Sequence, residues 1–367
     1  MIRRLSTTIF LLTSFLILIL LKLSLATTQQ YPKNDPTQLL YTTSSSQAPN
    51  SSVGALPIRL ITHNIRYATA YPSRGELPWY QRRTHLISEL LYQTRFIPTS
   101  IICLQEVLHN QLLDVSSSLG GQWENVGVGR DDGKQAGEYS PIFFRRDVWE
   151  LVGSESLWLS ETPEKPSKGW GAGQPRILTV VVLKHRFEGR TIVVMNTHLD
   201  DQSSRARQES ANLILRIARE YASGTRGTVA PGTPLFLAGD FNSEMEEEAY
   251  GVLARGGLID LGVRVWGGRR YGHVNTYTGF WEGEREKRID FLWLGPGAEV
   301  DGARGEEGER SWDKELEGES ERVQESLGEE GARWKVIIEG YAVLESRFED
   351  GVYNSDHRAV VGDLLLL

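Results

Sequence analysis

The sequence predicts a mixed-sheet α/β domain, and three observations carry that expectation. Helix and strand periods alternate early in the folded part, strands dominate its middle, and no repeat period is found in the 367 residues. An apolar fraction of 40%, with ten Trp and thirteen Tyr, is enough for a sizeable core. At this length the chain holds one large domain or two small ones.

The first residues stand apart from that core. Arg3 and Arg4 precede an apolar run from Ile9 to Leu21, and Ser24-Leu-Ala26 offers small residues for cleavage. The run is shorter than the roughly 20 apolar residues a membrane span needs. Residues 1–26 therefore read as a signal peptide or a signal anchor. The first makes the protein secreted; the second holds the folded part on the lumenal or extracellular side. Residues 27–56 are rich in Thr, Ser, Gln and Pro and read as a disordered linker. Within them, Asn50-Ser-Ser52 has the pattern of an exposed glycosylation acceptor.

The folded part is expected over residues 57–367. Pro57 to Arg66 has the β-branched content of a strand, and Trp79 to Tyr92 places Leu86, Ile87, Leu90 and Leu91 at a helical period. Ser100 to Leu104 is an apolar strand carrying Cys103, the one cysteine, which reads as a small buried hydrophobe. No intramolecular disulfide is possible. Val107 to Leu119 is helical again. Strands are then expected at Asn125–Arg130, Ser140–Arg145, Val148–Ser154, Ile177–Lys184 and Thr191–His198, with Gly-rich or charged turns between them.

Arg205 to Ser223 reads as a helix with Leu213, Ile214, Ile217 and Ala218 on its apolar side. Leu235 to Ala238 is a short buried strand broken by Gly239, and a short helix follows over Glu246 to Arg255. Strands at Arg288–Leu294 and Val360–Leu366 close the set. Between them, residues 299–330 are Glu- and Gly-rich and read as a flexible acidic insertion.

Charge narrows the partners. The formal net charge is −8, but residues 299–330 hold 13 acidic and 4 basic side chains, and the first 26 hold three basic and none acidic. The remaining body is near neutral. No strong basic field exists for holding duplex DNA, so no stable duplex partner is expected. A monomer is expected.

Polar residues end the strands where a core would not want them. Asn64, Glu106, Asn196-Thr-His198, Asp240-Phe-Asn242, Asp290 and Asp356-His357 each follow or interrupt an apolar run. Singly, each has a structural reading: Asn64 can cap a turn, Glu106 can face solvent, His198 can be a satisfied core histidine. Asp290 is harder to dismiss, because a buried carboxylate is expensive without a partner, and His357 is a natural one. Strand ends on one sheet edge are rigid launching points for a convergent site. A divalent metal and a phosphate give all of these positions one reason.

The ordered set resembles the endonuclease/exonuclease/phosphatase superfamily, with its DNase I-like fold. The matching blocks are Thr-His-Asn64, Leu-Gln-Glu106, Asn-Thr-His198, Gly-Asp240-Phe-Asn242, Arg-Ile-Asp290 and Ser-Asp356-His357, spread over residues 57–367. The resemblance implies a four-layer α/β sandwich, two packed mixed sheets with helices outside, that hydrolyses phosphate esters with Mg²⁺ or Mn²⁺. Carried over block by block, Glu106 would be the principal metal ligand and Asp356 a second. Asp240 would orient or deprotonate the attacking water, and Asn64 and Asn242 would bind phosphate oxygens. His357, held by Asp290, would stabilise charge on the phosphorus, and His198 would contact the phosphate or assist the leaving oxygen.

Substrate is less legible. Gly-Asp-Phe-Asn-Ser243 and Ala249-Tyr-Gly-Val-Leu253 look like the deadenylase and nocturnin-like branch, and Arg207 matches an arginine found there. Asn64-Ile-Arg-Tyr67, Ser140-Pro-Ile-Phe-Phe144 and Lys168-Gly-Trp-Gly171 look like exported microbial members of unassigned substrate. In the second group Arg130, Trp170 and Arg176 would line the cleft and read the substrate. The expectation is a phosphodiesterase or 3′–5′ exonuclease-like enzyme acting on single-stranded RNA or nucleotides. The alternatives are an exported phosphatase or phosphodiesterase for a small, lipid or glycan-linked phosphate, and a binding scaffold without turnover.

Overall fold

The computed structural model describes residues 54–265, 267–301 and 333–367. The expected export segment, most of the linker and residues 302–330 of the acidic insertion lie outside the described residues. The first half runs β1 (Leu56–Asn64), α1 (Trp79–Thr94), β2 (Ile101–Gln105), α2 (His109–Leu119), β3 (Trp123–Val126), β4 (Ile142–Arg145) and β5 (Trp149–Trp158). The middle runs β6 (Ile177–His185), β7 (Thr191–His198), α3 (Ser204–Ala222), β8 (Leu235–Asp240), α4 (Glu248–Arg255), β9 (Ile259–Asp260) and α5 (Leu261–Arg264). β10 (Arg270–Gly272), β11 (Asp290–Leu294), β12 (Ala298–Val300), β13 (Trp334–Val343) and β14 (Val360–Leu366) complete it.

Among the described residues these strands form two mixed sheets. The first has the order β10-β13-β14-β1-β2-β4-β3, with β12 beside β13; the second has the order β5-β6-β7-β8-β11-β9. Three apolar clusters fill the spaces between four layers. One lies between the sheets and joins Leu60, Cys103 and Phe144 to Ile192, Phe236 and Leu292. A second packs the outer face of the second sheet against α3 and α4, and a third packs the outer face of the first sheet against α1 and α2. This is the DNase I-like sandwich that the motifs implied. Cys103 is buried as expected, and burial raises its thiol pKa.

Period two decides what reaches the site. Alternate strand residues face opposite sides of a sheet. In β1, Ile58 and Leu60 enter the inter-sheet cluster while Ile61 enters the outer one, so Asn64 falls on the inner side and His63 on the side covered by α1. Ile192 and Val194 of β7, Phe236 and Ala238 of β8 and Leu292 of β11 face inward. The same parity carries His198, Asp240 and Asp290 inward at one end of that sheet.

Several elements differ from the expectation. The strand expected over Asn125–Arg130 ends at Val126, because Gly129 begins a tight turn closed by Gly133 N–H on the Gly129 carbonyl at 2.9 Å. A Cβ at Gly129 would lie 2.3 Å from the Ala136 oxygen. The helix expected from Val107 starts at His109, since Val107 is used in a backbone bridge to Tyr139. Glu299 and Val300 belong to β12, which pairs with Trp334–Val336. The ten-residue strand β13 and the short β9, α5 and β10 were not read from the sequence.

Candidate active site

The strand register builds the site. His198 pairs with Asp240 across parallel β7 and β8, and Asp240 pairs with Asp290 across antiparallel β8 and β11. Three functional side chains therefore stand in one row on neighbouring strands. Gly239 permits this approach, since a Cβ there would lie 2.2 Å from the Thr197 carbonyl oxygen. From the facing sheet, Asn64 pairs with Gln105 across β1 and β2, and Glu106 follows at once. Gln105 donates to Asn196 Oδ1 at 2.7 Å, which ties the two sheets together directly beneath the site.

Asp240 is the hub. Its Oδ2 accepts from Asn64 Nδ2 at 2.9 Å and lies 3.5 Å from His198 Nε2 and 3.6 Å from His357 Nε2. Its Oδ1 accepts the Asn242 backbone N–H at 2.9 Å. Asn64 Nδ2 also donates to Glu106 Oε1 at 3.1 Å, so one carboxamide joins the expected base to the expected metal ligand. Asn242 Nδ2 donates to His198 Nε2 at 2.9 Å and to the Leu199 carbonyl at 3.1 Å. His357 Nδ1 is 2.8 Å from Asp290 Oδ2. Tyr277 places its ring edge-on to His357, with centroids 5.1 Å apart.

The charges follow from this packing. Burial, with the Asp290 charge, raises Asp240 to about 7. Burial works against the charge of His357, but Asp290 and then Asp240 outweigh it and lift the imidazole to about 10. His198 is driven well below its ordinary value, first by burial and then by the Arg176 and Arg130 cations. One histidine is thus held cationic and the other neutral. Burial raises Asp356 to about 6, with Glu106 adding to the rise.

Two groups of side chains can be tested for a metal. Asp240, Asp290 and His357 offer atoms within 4.8 Å of one another. A cationic imidazole has no lone pair to give, so this trio fits acid–base chemistry rather than ligation. Glu106 and Asp356 fit better. They are two neighbouring carboxylates of which one raises the other's pKa, a conflict that a hard divalent cation relieves with few protein ligands.

Among the described residues, four that are not glycine have left-handed backbone: Arg66 (φ 56°), Glu106 (φ 58°), Trp170 (φ 52°) and Asn242 (φ 45°). Such conformations cost of order 1–3 kcal/mol each and persist only where neighbours enforce them. At Arg66 the neighbours are clear. Its N–H donates to Asn64 Oδ1 at 3.0 Å, and its carbonyl accepts from Arg82 at 3.2 Å and Gln111 at 3.0 Å. The Arg66 guanidinium lies 3.9 Å from Glu106 Oε2 and over the Tyr67 ring.

The structure gathers Asn64, Glu106, His198, Asp240, Asn242, Asp290, Asp356 and His357 at one end of the sandwich. Arg130 and Arg176 lie beside His198, but both are engaged: Arg130 binds Glu138 through two 2.8 Å contacts, and Arg176 binds Asp201 at 2.7 Å and approaches Asp200 at 3.5 Å. Asp200 accepts the backbone N–H groups of Gly173 and Ser203 and serves as a loop anchor. Arg207 is a correction. It faces inward from α3 and binds Glu248 of α4 at 2.9 Å and the Asp200 carbonyl at 3.3 Å, so it fastens two helices rather than a phosphate. Trp170 is partly buried and packs on the outer core of the second sheet.

Sequence reasoning missed Glu138, Arg66, Arg82 and Gln111. Glu138 Oε2 lies 3.9 Å from His198 Nδ1, and burial together with Glu106 raises its carboxyl to about 7. Its turn gave no periodic signal. Arg66 had one signal, its place two residues after Asn64.

Comparison with known proteins agrees with this geometry. The sequence pattern of the Endonuclease/Exonuclease/phosphatase family matches residues 61–310. Nocturnin of Drosophila melanogaster is 26% identical over 198 residues, covering 51% of this chain and 27% of that protein. The CCR4-Not complex 3′-5′-exoribonuclease subunit Ccr4 of Aspergillus niger is 26% identical over 290 residues, covering 64% of this chain and 42% of that protein. The matches thus span less than half the length of either relative. The structure of a mannosyl-6-phosphatase from Bacteroides thetaiotaomicron superposes with a TM-score of 0.64 at 27% identity, covering 84% of this chain and 99% of that one. Members of this family are hydrolases of phosphoesters, and the chain belongs to the endonuclease/exonuclease/phosphatase family.

Proposed function

We propose that this protein is a divalent-metal-dependent phosphoester hydrolase whose leaving group is a compact, polar alcohol. The observation that carries the reading is Asp240, a buried carboxylate ringed by Asn64, His198 and His357 within 3.6 Å. Raised to about 7, it can accept a proton from an attacking water near neutral pH. His357, held cationic by Asp290, offers its Nε2–H to charge developing on the phosphorus oxygens. Asn242 fixes His198 with Nε2 as acceptor, which leaves the His198 proton on Nδ1. Glu106 and Asp356 would hold the metal, Mg²⁺ or Mn²⁺, which supplies Lewis-acid stabilisation when bound.

The choice of a compact leaving group rests on the arginines. A single-stranded nucleic acid is tracked by cations free to meet successive phosphates. Arg66, Arg130, Arg176 and Arg207 each lie against a carboxylate instead. The mannosyl-6-phosphatase, matched over nearly its whole length, supports the same reading. A second reading, stepwise hydrolysis of RNA from its 3′ end, draws on the sequence likeness to Ccr4.

The test uses the full chain with Mg²⁺, with Mn²⁺ and with EDTA. Mannose 6-phosphate, p-nitrophenyl phosphate, bis-p-nitrophenyl phosphate, 3′-labelled oligo(A) and sphingomyelin are compared. Metal-dependent release of phosphate from the monoesters, with the RNA intact, is the expected outcome. Stepwise shortening of the RNA would favour the second reading, and turnover of sphingomyelin alone would overturn both.

A further inference from the structure

Directly beneath His357 lie a fully buried histidine and a largely buried carboxyl that the reaction described above does not use. His63 is fully buried on the α1 side of β1, and its Nε2 lies 3.1 Å from the His357 carbonyl oxygen. A carbonyl only accepts, so that nitrogen carries the proton and Nδ1 carries a lone pair. His63 Nδ1 lies 3.7 Å from Glu89 Oε1 of α1, and neither atom has another hydrogen-bond partner. The Asn354 carboxamide also faces the Glu89 carboxyl and, as a weak hydrogen-bond donor outside ideal geometry, favours its ionised form, but burial outweighs it.

Three protonation arrangements are open to such a pair, and two conflict with their surroundings. An ionised Glu89 facing a bare Nδ1 sets a carboxylate against a lone pair, with both groups desolvated. An ionised Glu89 with a doubly protonated His63 adds a cation close to Arg82 and to the cationic His357, and both oppose it. The third arrangement leaves Glu89 as the neutral acid, its O–H directed at Nδ1. At 3.7 Å the two atoms stand just beyond hydrogen-bond distance, and a hydrogen bond between them would satisfy both. Burial favours it from both sides, holding Glu89 up at about 8 and His63 down at about 4.

We propose that Glu89 is a positioning residue: as a carboxylic acid it donates a hydrogen bond to His63 Nδ1, fixing the His63 Nε2–H on the backbone carbonyl of His357. The relay sets the height of His357 over the site from the α1 side, while Asp290 sets the angle of its ring from β11. It rests on the phosphoester-hydrolase reading for its consequence, but not for its geometry.

The experiment uses the full chain labelled with ¹⁵N-histidine, and the variants E89Q and E89M. Glutamine keeps an N–H donor for Nδ1; methionine removes it at similar volume. In the wild type at neutral pH, His63 is expected to show a protonated Nε2 and a hydrogen-bonded, unprotonated Nδ1. E89M is expected to disturb that signature and lower kcat on p-nitrophenyl phosphate by roughly 10- to 100-fold, with KM changed less than about twofold. E89Q is expected to retain both the signature and most of the turnover. A wild-type His63 protonated at Nδ1, alone or at both nitrogens, overturns the proposal without any variant. Equal behaviour of E89Q and E89M overturns it too. If the wild type hydrolyses no substrate, the functional reading fails separately, because the histidine signature still decides the relay.

Discussion

His357 Nδ1 lies 2.8 Å from Asp290 Oδ2, and Asp290 is fully buried on β11. The contact fixes which nitrogen of His357 faces the site and keeps the ring charged. Asp290→Asn keeps the shape and removes the charge. It is expected to fold, by circular dichroism, and to lose about 10³–10⁴-fold in kcat, the scale seen when a histidine's orienting carboxylate is neutralised. A loss under about tenfold would make the pair structural.

Glu106 accepts from Asn64 and from the Tyr67 backbone N–H, and leans on Arg66. Glu106→Gln is expected to abolish calorimetric binding of Mg²⁺ and Mn²⁺ and the activity together. The wild type should gain about 2.7 kcal/mol of stability at a metal concentration of 100 times Kd. The variant should gain none. Persistent metal-induced stabilisation in the variant would move the site elsewhere.

Asp240 must lose its proton to act as a base, and its pKa is raised to about 7. The rate should therefore rise with pH below about 7 and level off above it, the opposite sign to a required acid. Asp240→Asn should remove both the activity and that limb. A rate already flat between pH 5 and 8 would exclude Asp240 as the titrating base.

Glu89 is raised to about 8 by burial, so the folded chain holds a proton that the unfolded chain releases in the ordinary carboxylate range. Between those limits the native state binds more protons, and stability must fall as pH rises. The slope is at most about 1.4 kcal/mol per pH unit for one group. His63, pushed down to about 4, has the opposite sign but acts only in the acid range. Urea unfolding from pH 5 to 8 should show Glu89→Gln gaining on the wild type as pH rises. Parallel curves would show Glu89 ionised in the fold.

Arg82 has no exposure and donates to the carbonyls of Leu77, Ile65, Asn354 and Arg66 at 2.7–3.2 Å. It holds the loop after Asn64 and the loop before Asp356 to α1. Arg82→Met is expected to destabilise by about 3–5 kcal/mol, since it strands buried acceptors and the Glu76 charge. Equilibrium unfolding measures this, and activity should fall even where the variant is fully folded.

The sequence alone determined the fold class and named most of the residues that the structure brings together, because apolar strand runs ended by polar residues are legible locally. Continuous apolar runs in β7, β8 and β11 marked strands buried on both faces, and a polar residue ending or opening each run stood out against them. That is why Asn64, His198, Asp240 and Asp290 could be read one strand at a time. Cys103 was legible for the same reason. β13 was not, since Glu339 and Gly340 interrupt its apolar pattern just after an acidic stretch.

What only the tertiary structure decided depends on partners distant in sequence. Arg207 matches an arginine of the deadenylase and nocturnin-like branch, but Glu248, 41 residues on, takes its guanidinium. The left-handed backbones of Arg66 and Glu106 are absent from any propensity; at Arg66, Arg82 and Gln111 hold the carbonyl through long-range hydrogen bonds while Asn64 holds the N–H locally. The Glu89–His63 contact exists only because α1 lies across β1. Local patterning fixes which face a side chain takes; its protonation, partner and strain are fixed by what the other layer brings to it.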